Sequence, residues 1–267
     1  MMAQETGSQG RLLLTGFEPF GGDTLNPSKE LVQALDGQKI GRRRIQGLVL
    51  PVTYGLAAAM VLRELGCDPG DHVEGSEWQD ADAWREWRAS PMSRWTRPSY
   101  DVVLALGQAK GRDKICLERV AINLRDASLA DHAGRVAQDE PIVPGGPAAY
   151  FSNLPLRAML EAVQMTGVPV AISNTAGTYV CNDLLYLLLH VACGESAVHR
   201  YDAGGISSSL PDGGESGHPW LRVGFIHLPA LPEQVRSSAE ETGSAAQPPS
   251  LSFSRMKTAI TAAIQAL

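Results

Sequence analysis

Apolar, β-rich runs alternate with helix-period segments along this chain, and that alternation narrows the folds open to it. The runs are RLLLTGF (11–17), IQGLVLPVTY (45–54), DVVLALG (101–107), VPVAISN (168–174) and LRVGFIHLP (221–229). Several are continuously hydrophobic, as strands covered on both faces tend to be. Helical patterns lie between them. Asn26-Pro27 offers an N-cap and a first-turn proline for one, and Gly37 closes it. Others are predicted over 54–66, 147–166, 181–192 and 252–266. The pattern predicts an α/β fold: one domain over 1–267, with a mostly parallel twisted sheet and helices on both faces. A chain of 267 residues can bury a substantial core in that form.

Three stretches break the rhythm. Residues 68–99 hold Trp78, Trp84, Trp87 and Trp95 among charges and prolines, and read as an insertion that packs its own indoles, with a short amphipathic helix. A subunit contact or a lid is the other reading. Residues 202–219 and 237–250 are Gly/Ser/Pro-rich and read as mobile loops. Their glycines fit neither a phosphate loop nor a dinucleotide fingerprint.

The net charge of −6, with no extended Lys/Arg stripe, argues against nucleic acid and anionic membranes as partners. Arg42-Arg43-Arg44 reads as a solvated turn. The N-terminal residues lack a basic region followed by an apolar one, so no secretory signal is expected, and no apolar run approaches the ~18 residues of a membrane span. The four cysteines, Cys67, Cys116, Cys181 and Cys193, have no C-x-x-C or zinc-type spacing. Free thiols in a reducing cytoplasm, with no metal and no cofactor, are the expectation.

Chemistry concentrates at a few positions. In SNTAGTYVCNDLLYLLLH (173–190), Cys181 stands where a polar turn enters a leucine-rich helix. There the unpaired N–H groups and the helix dipole favour a thiolate. A nucleophile needs a base. His190 is nine residues further along the same helix, on the far side and about 13 Å away, so it cannot serve. His72, His132, His199 and His218 lie in polar, loop-like segments. His227 ends an apolar strand, at the edge where open α/β sheets bind ligands. Glu118 and Arg119 interrupt an apolar run in GQAKGRDKICLERVAINLRDA (107–127). Glu118 either accepts a hydrogen bond from His227 or forms an internal ion pair with an arginine. Phe17 and Phe20, on the turn TGFEPFGGDTLNPS (15–28), either tuck into the core or wall a small apolar slot.

These segments, with DEPIVPGGPAAYFSNLP (139–155) and GFIHLPALPEQ (224–234), resemble in order the signature stretches of the pyroglutamyl peptidase I (pyrrolidone-carboxylate peptidase) family, from residue 12 to about 234. The resemblance implies a cysteine peptidase on a single α/β domain, often tetrameric, that removes N-terminal pyroglutamyl residues from peptides. Carried onto matching positions, it makes Cys181 the nucleophile, His227 the base and Glu118 the third member of a triad. Phe17, Phe20, Gln108, Leu129, Tyr179 and Val180 fall where the family lines its substrate pocket. Pyroglutamate is a neutral lactam, so such a pocket needs flat apolar faces rather than a carboxylate. The chain departs from the family pattern at Ser128, where arginine is usual, at Lys110, and at Ala230, where tyrosine is common. The 46 residues from Cys181 to His227 also exceed the usual separation. Two rival readings are a non-catalytic relative that binds pyroglutamyl peptides or a protein partner, and a nucleoside phosphorylase-like transferase using Arg112 or Arg119.

Overall fold

Alternate side chains on each strand face opposite ways, and that parity sorts the molecule into layers. The computed structural model describes residues 10–66, 100–193, 200–202, 205–207, 221–236 and 248–267, with only the backbone path at 193, 200–202 and 205–207. In chain order its elements are β1 (Gly10–Phe17), α1 (Pro27–Leu35), β2 (Lys39–Ile40), β3 (Arg43–Leu50), α2 (Leu56–Glu64), β4 (Val102–Gln108), β5 (Ile115–Glu118), β6 (Val120–Ile122), β7 (Ala149–Phe151), α3 (Leu156–Gln164), β8 (Val170–Ser173), α4 (Val180–Cys193), β9 (Arg200–Asp202), β10 (Gly205–Ser207), β11 (Arg222–Leu228) and α5 (Phe253–Gln265).

Seven strands form one sheet in the order β2-β3-β1-β4-β11-β5-β8. The central four, β3, β1, β4 and β11, run parallel. Strand β5 opposes β11, β8 is parallel to β5, and β2 opposes β3. The sheet is thus mostly parallel with a reversed flank. The reversal follows from chain length: residues 109–114 alone join β4 to β5, too few for the crossover that a parallel return requires.

Parity then gives two cores. On β1, Leu12 and Leu14 join one cluster and Leu13 and Phe17 the other. On β4, Val102, Leu104 and Leu106 separate likewise from Val103 and Ala105. Side chains of α1, α3 and α5 fill the first cluster, and those of α2 and α4 the second. Helices therefore cover both faces, which is why these strands read as continuously apolar.

Helix α1 begins as its sequence indicates. Asn26 Oδ1 accepts from Ser28 N at 3.0 Å, Pro27 fills the first turn, and Gly37 beyond the end has φ 71°. Other boundaries differ from expectation. The helix predicted over 147–166 begins only at Leu156, and residues 149–151 instead pair with β6. Pro155 caps that helix with a non-helical backbone, and the aromatic pair Tyr150-Phe151 ahead of it suits an extended strand. The run 45–54 leaves the ladder after Leu50, because Pro51 has no N–H to donate. Only Arg42 of the three arginines lies in the turn; Arg43 and Arg44 open β3, and Arg43 Nη2 donates to the Leu267 carbonyl at 2.9 Å.

The tryptophan-rich stretch 68–99, Cys67, His72, His199, His218 and most of the loops 202–219 and 237–250 lie outside the described residues. Within the first loop, β10 pairs antiparallel with β9. No helix among the described residues is long and apolar enough to cross a membrane.

Candidate active site

Strand parity also selects the side chains that meet under α4. His227 follows Val223 and Phe225 on the β11 face that α4 covers, and Cys116 and Glu118 share that face on β5. In register, His227 pairs with Cys116 on one side and Gly107 on the other, and Phe225 pairs with Glu118. The imidazole and the carboxylate are thus diagonal neighbours, and His227 Nδ1 lies 2.8 Å from Glu118 Oε1. A carboxylate only accepts, so Nδ1 carries the proton and Nε2 keeps its lone pair.

Glu118 has a second cation. Arg112 Nη1 lies 2.7 Å from the same Oε1, so both readings of Glu118 hold at once. Glu118 is fully buried, and its Oε2 has no hydrogen-bond partner.

Cys181 arrives from the edge of the sheet. After β8, residues 174–179 turn back, Gly177 taking φ 80°, and α4 begins at Val180. Asn182 to His190 are all buried in this helix, whereas Cys181 on its first turn is partly exposed. Its sulfur packs on the backbone of Gly107; a Cβ added there would stand 2.9 Å from Cys181 Sγ and 2.7 Å from Phe225 Cζ. A glycine at the end of β4 therefore lets the sulfur come beside the strand position of His227.

The electrostatics correct one expectation. The helix N-terminus favours a thiolate, but burial pushes the Cys181 thiol up to about 12, the Glu118 charge adds to the rise, and Arg112 and the residue's own backbone N–H oppose it. Burial likewise holds His227 below its ordinary value, against the upward pull of Glu118. Both shifts run toward the uncharged forms, thiol and imidazole, because taking a charge out of water is unfavourable and opposes the helix dipole.

Cys181 and His227 open onto one cavity of about 360 Å³, lined also by Phe20, Gly21, Gln108, Lys110, Leu129, Ala176 and Tyr179. Phe20 and Tyr179 form an aromatic wall with ring centroids 6.2 Å apart, and Tyr179 donates its hydroxyl to the Ala130 carbonyl at 3.0 Å. Of the other residues singled out in the sequence, Phe17 and Val180 are buried behind this lining. Phe17 packs 6.5 Å from Phe225, whose ring is 4.7 Å from that of His227. His190 is elsewhere, its Nδ1 2.7 Å from the Tyr150 hydroxyl. Ser128 is exposed and Ala230 buried, and neither lines the cavity.

Sequence reasoning did not assign Gly107 or Gln234, and considered Arg112 only as a phosphate ligand in the transferase reading. Gln234 Nε2 donates to Asp23 Oδ2 at 2.7 Å and to the Leu25 carbonyl at 3.0 Å. Its Oε1 accepts from Leu231 N at 2.8 Å and from Gln108 Nε2 at 3.0 Å. The Gln108 amide is thereby oriented, and its Oε1 is buried without a partner. Lys110 Nζ lies 2.8 Å from Asp23 Oδ1, so the cavity lysine is neutralised by the β1–α1 turn. The only sequence signal for these contacts was the presence of polar side chains within otherwise apolar motifs. Among the described residues no group of His, Cys, Asp or Glu could hold a metal ion.

The family model for pyroglutamyl peptidase matches residues 10–68, 93–204 and 213–267. The pyrrolidone-carboxylate peptidase of Chromobacterium violaceum is 40% identical over 224 residues, covering 84% of this chain and 80% of its own. That of Pyrococcus furiosus is 34% identical over 255 residues, covering 96% of each chain. Among solved structures, a mutant pyrrolidone carboxyl peptidase from P. furiosus superimposes with a TM-score of 0.69 at 34% identity, covering 96% of this chain and 97% of that one. Pyroglutamyl peptidase I from Bacillus amyloliquefaciens gives a TM-score of 0.67 at 34% identity, covering 96% and 95%.

Proposed function

Because the chain belongs to the pyroglutamyl peptidase family, we propose that it hydrolyses the amide bond after an N-terminal pyroglutamyl residue, through Cys181, His227 and Glu118 and a thioester intermediate. One observation carries this reading: an imidazole bonded at 2.8 Å to a buried carboxylate opens onto the same small cavity as a cysteine on the first turn of a helix.

The lactam ring fits the cavity's character. Phe20 and Tyr179 offer flat faces, Leu129 an apolar edge, and Phe17 and Val180 back the wall from the core. The unpartnered Oε1 of Gln108 is an acceptor for the ring N–H, and a buried acceptor left without a donor is unfavourable by about 1–3 kcal/mol. No positive ammonium enters, so no carboxylate is needed at the ring.

Chemistry starts from the neutral pair. Cys181 Sγ attacks the pyroglutamyl carbonyl carbon as its proton passes to His227 Nε2, and the imidazolium that forms is stabilised by Glu118 through Nδ1–H. The carbonyl π-electrons move to oxygen, where first-turn N–H groups of α4 can donate to it. Collapse expels the amine, which takes the proton from His227, and leaves a thioester on Cys181. His227 then removes a proton from water as the water attacks the thioester. Release of 5-oxoproline returns the proton to sulfur. The transferase reading keeps only Arg119 as a phosphate ligand, since Arg112 is bonded to Glu118. By resemblance the enzyme works as a homo-oligomer, a tetramer, which light scattering tests; its few cysteines fit a reducing cytoplasm.

Turnover of pyroglutamyl-aminomethylcoumarin is expected, with complete loss after iodoacetamide and in Cys181→Ala and His227→Ala variants that retain native circular dichroism. Undiminished turnover in either variant overturns the triad. Tight peptide binding by the unmodified chain without turnover would instead support a non-catalytic relative.

A further inference from the structure

The connection between β4 and β5 carries a residue that touches both halves of the site. Arg112 Nη1 lies 2.7 Å from Glu118 Oε1, the oxygen that also meets His227 Nδ1 at 2.8 Å. The other guanidinium nitrogen, Nη2, donates to the Thr175 carbonyl at 3.2 Å, and Nη1 is 3.5 Å from Ser173 Oγ. Ser173 ends β8, and Thr175 lies in the turn that delivers Cys181. We infer that Arg112 is a positioning residue for the proposed hydrolysis: its planar fork ties the carboxylate behind the base to the turn behind the nucleophile, and it shares that carboxylate with His227.

Both duties follow from geometry. The base and the nucleophile come from different elements, and the guanidinium spans carboxylate and carbonyl with two separate, rigidly spaced nitrogens, where an ammonium has one donor atom. The shared oxygen matters as much. A buried imidazole facing an undivided carboxylate would be protonated more readily and would accept the thiol proton less readily. Arg112 places a second positive charge on the same oxygen and leaves Oε2 without a partner.

The charged and titratable groups around His227 are few among the described residues. Glu118 and Cys116 face it from β5, Cys181 from α4, Tyr179 from the turn before α4, and Arg112 and Lys110 from the β4–β5 connection, with Lys110 matched by Asp23 of the β1–α1 turn. Of these, Glu118 favours the imidazolium, while Arg112 opposes it and favours the Cys181 thiolate. Removing the Arg112 charge should therefore make His227 easier to protonate and Cys181 harder to deprotonate.

The inference rests on the triad reading, and its test separates the two. The pH dependence of kcat/KM for pyroglutamyl-aminomethylcoumarin is measured for the unmodified enzyme, Arg112→Met and Arg112→Lys. Limb positions do not depend on how much of a sample is folded. In Arg112→Met both limbs are expected at higher pH than in the unmodified enzyme, with a plateau lowered about 100-fold by misplacement of the reacting groups. Arg112→Lys keeps the charge but not the fork, so its limbs stay in place while its plateau falls about tenfold. The pH dependence of Cys181 alkylation by iodoacetamide should shift upward in the Met variant as well, a readout that needs no turnover. If Arg112→Met does not fold, Arg112→Gln carries the same expectation. Coincident limbs in the unmodified and uncharged enzymes, or a Lys variant displaced as far as Met, overturn the inference. Absence of turnover in the unmodified enzyme would strike the hydrolase reading instead.

Discussion

Gly107 sets the tightest tolerance in the site. With the sulfur of Cys181 and the ring of Phe225 both closing on its backbone, even a methyl group has no room. Gly107→Ala is expected to lower kcat roughly 100-fold by displacing the sulfur, to leave KM for the lactam within a few-fold, and to lower stability by about 1–3 kcal/mol through overpacking. Steady-state kinetics and a urea titration check both. At this scale Cys181, His227 and Glu118 were legible, since a cysteine at a helix start, a histidine at a strand end and a buried acid each contradict their local surroundings. The direction in which burial shifts the pair was not. The dipole of α4 is a local property visible in sequence, but the burial that outweighs it comes from β4, β11 and the β1–α1 turn. The same is true of Arg112, whose partners lie 6 and 63 residues away.

Among the elements, α4 depends on a bond formed one turn inside it. Arg125 Nε donates to Asp183 Oδ1 at 2.6 Å, and Asp183 Oδ2 accepts from Gly55 N at 2.9 Å, at the start of α2. Both side chains are almost completely buried, so the pair joins the two helices that cover the catalytic face. Removing one partner strands the other. Arg125→Met or Asp183→Asn should each lower stability by about 3–5 kcal/mol in a denaturant titration, and the double replacement by much less than the sum. Helix α1 was fully legible from Asn26, Pro27 and Gly37, because caps act over three or four residues. The stretch 147–166 misled because its strand, β7, pairs only with β6, which lies outside the main sheet. A three-residue strand has too little periodicity to announce itself.

For the whole molecule, buried protons set the pH range of stability. Burial first of all raises Cys181, Tyr100 and Tyr179 to about 12, and moves Tyr54 upward as well. Groups that hold their protons longer when folded contribute stability that is complete below their unfolded values, near 9 for the thiol and 10 for the phenols, and lost as pH climbs through the folded ones. The lowered imidazole of His227 acts oppositely: its contribution is complete above the unfolded value of 6.5 and declines as pH falls below it. Folding free energy measured by urea should therefore fall between about pH 9 and 12, and more shallowly in Cys181→Ala, which lacks one of the groups responsible. The layered α/β plan was legible from the alternation of runs. The reversed flank was not, because it depends on how few residues join β4 to β5 and on which strand fills the space between them.

That intervening strand is β11, made last of the seven yet seated between β4 and β5. Until it slots in, Glu118 lacks the imidazole it is bonded to, and under the proposed mechanism the sulfur has no base. A chain still on the ribosome, or one truncated before residue 221, carries a thiol but no engine. Under the proposed triad, the acid–base partner of Cys181 therefore depends on the closing piece of the sheet.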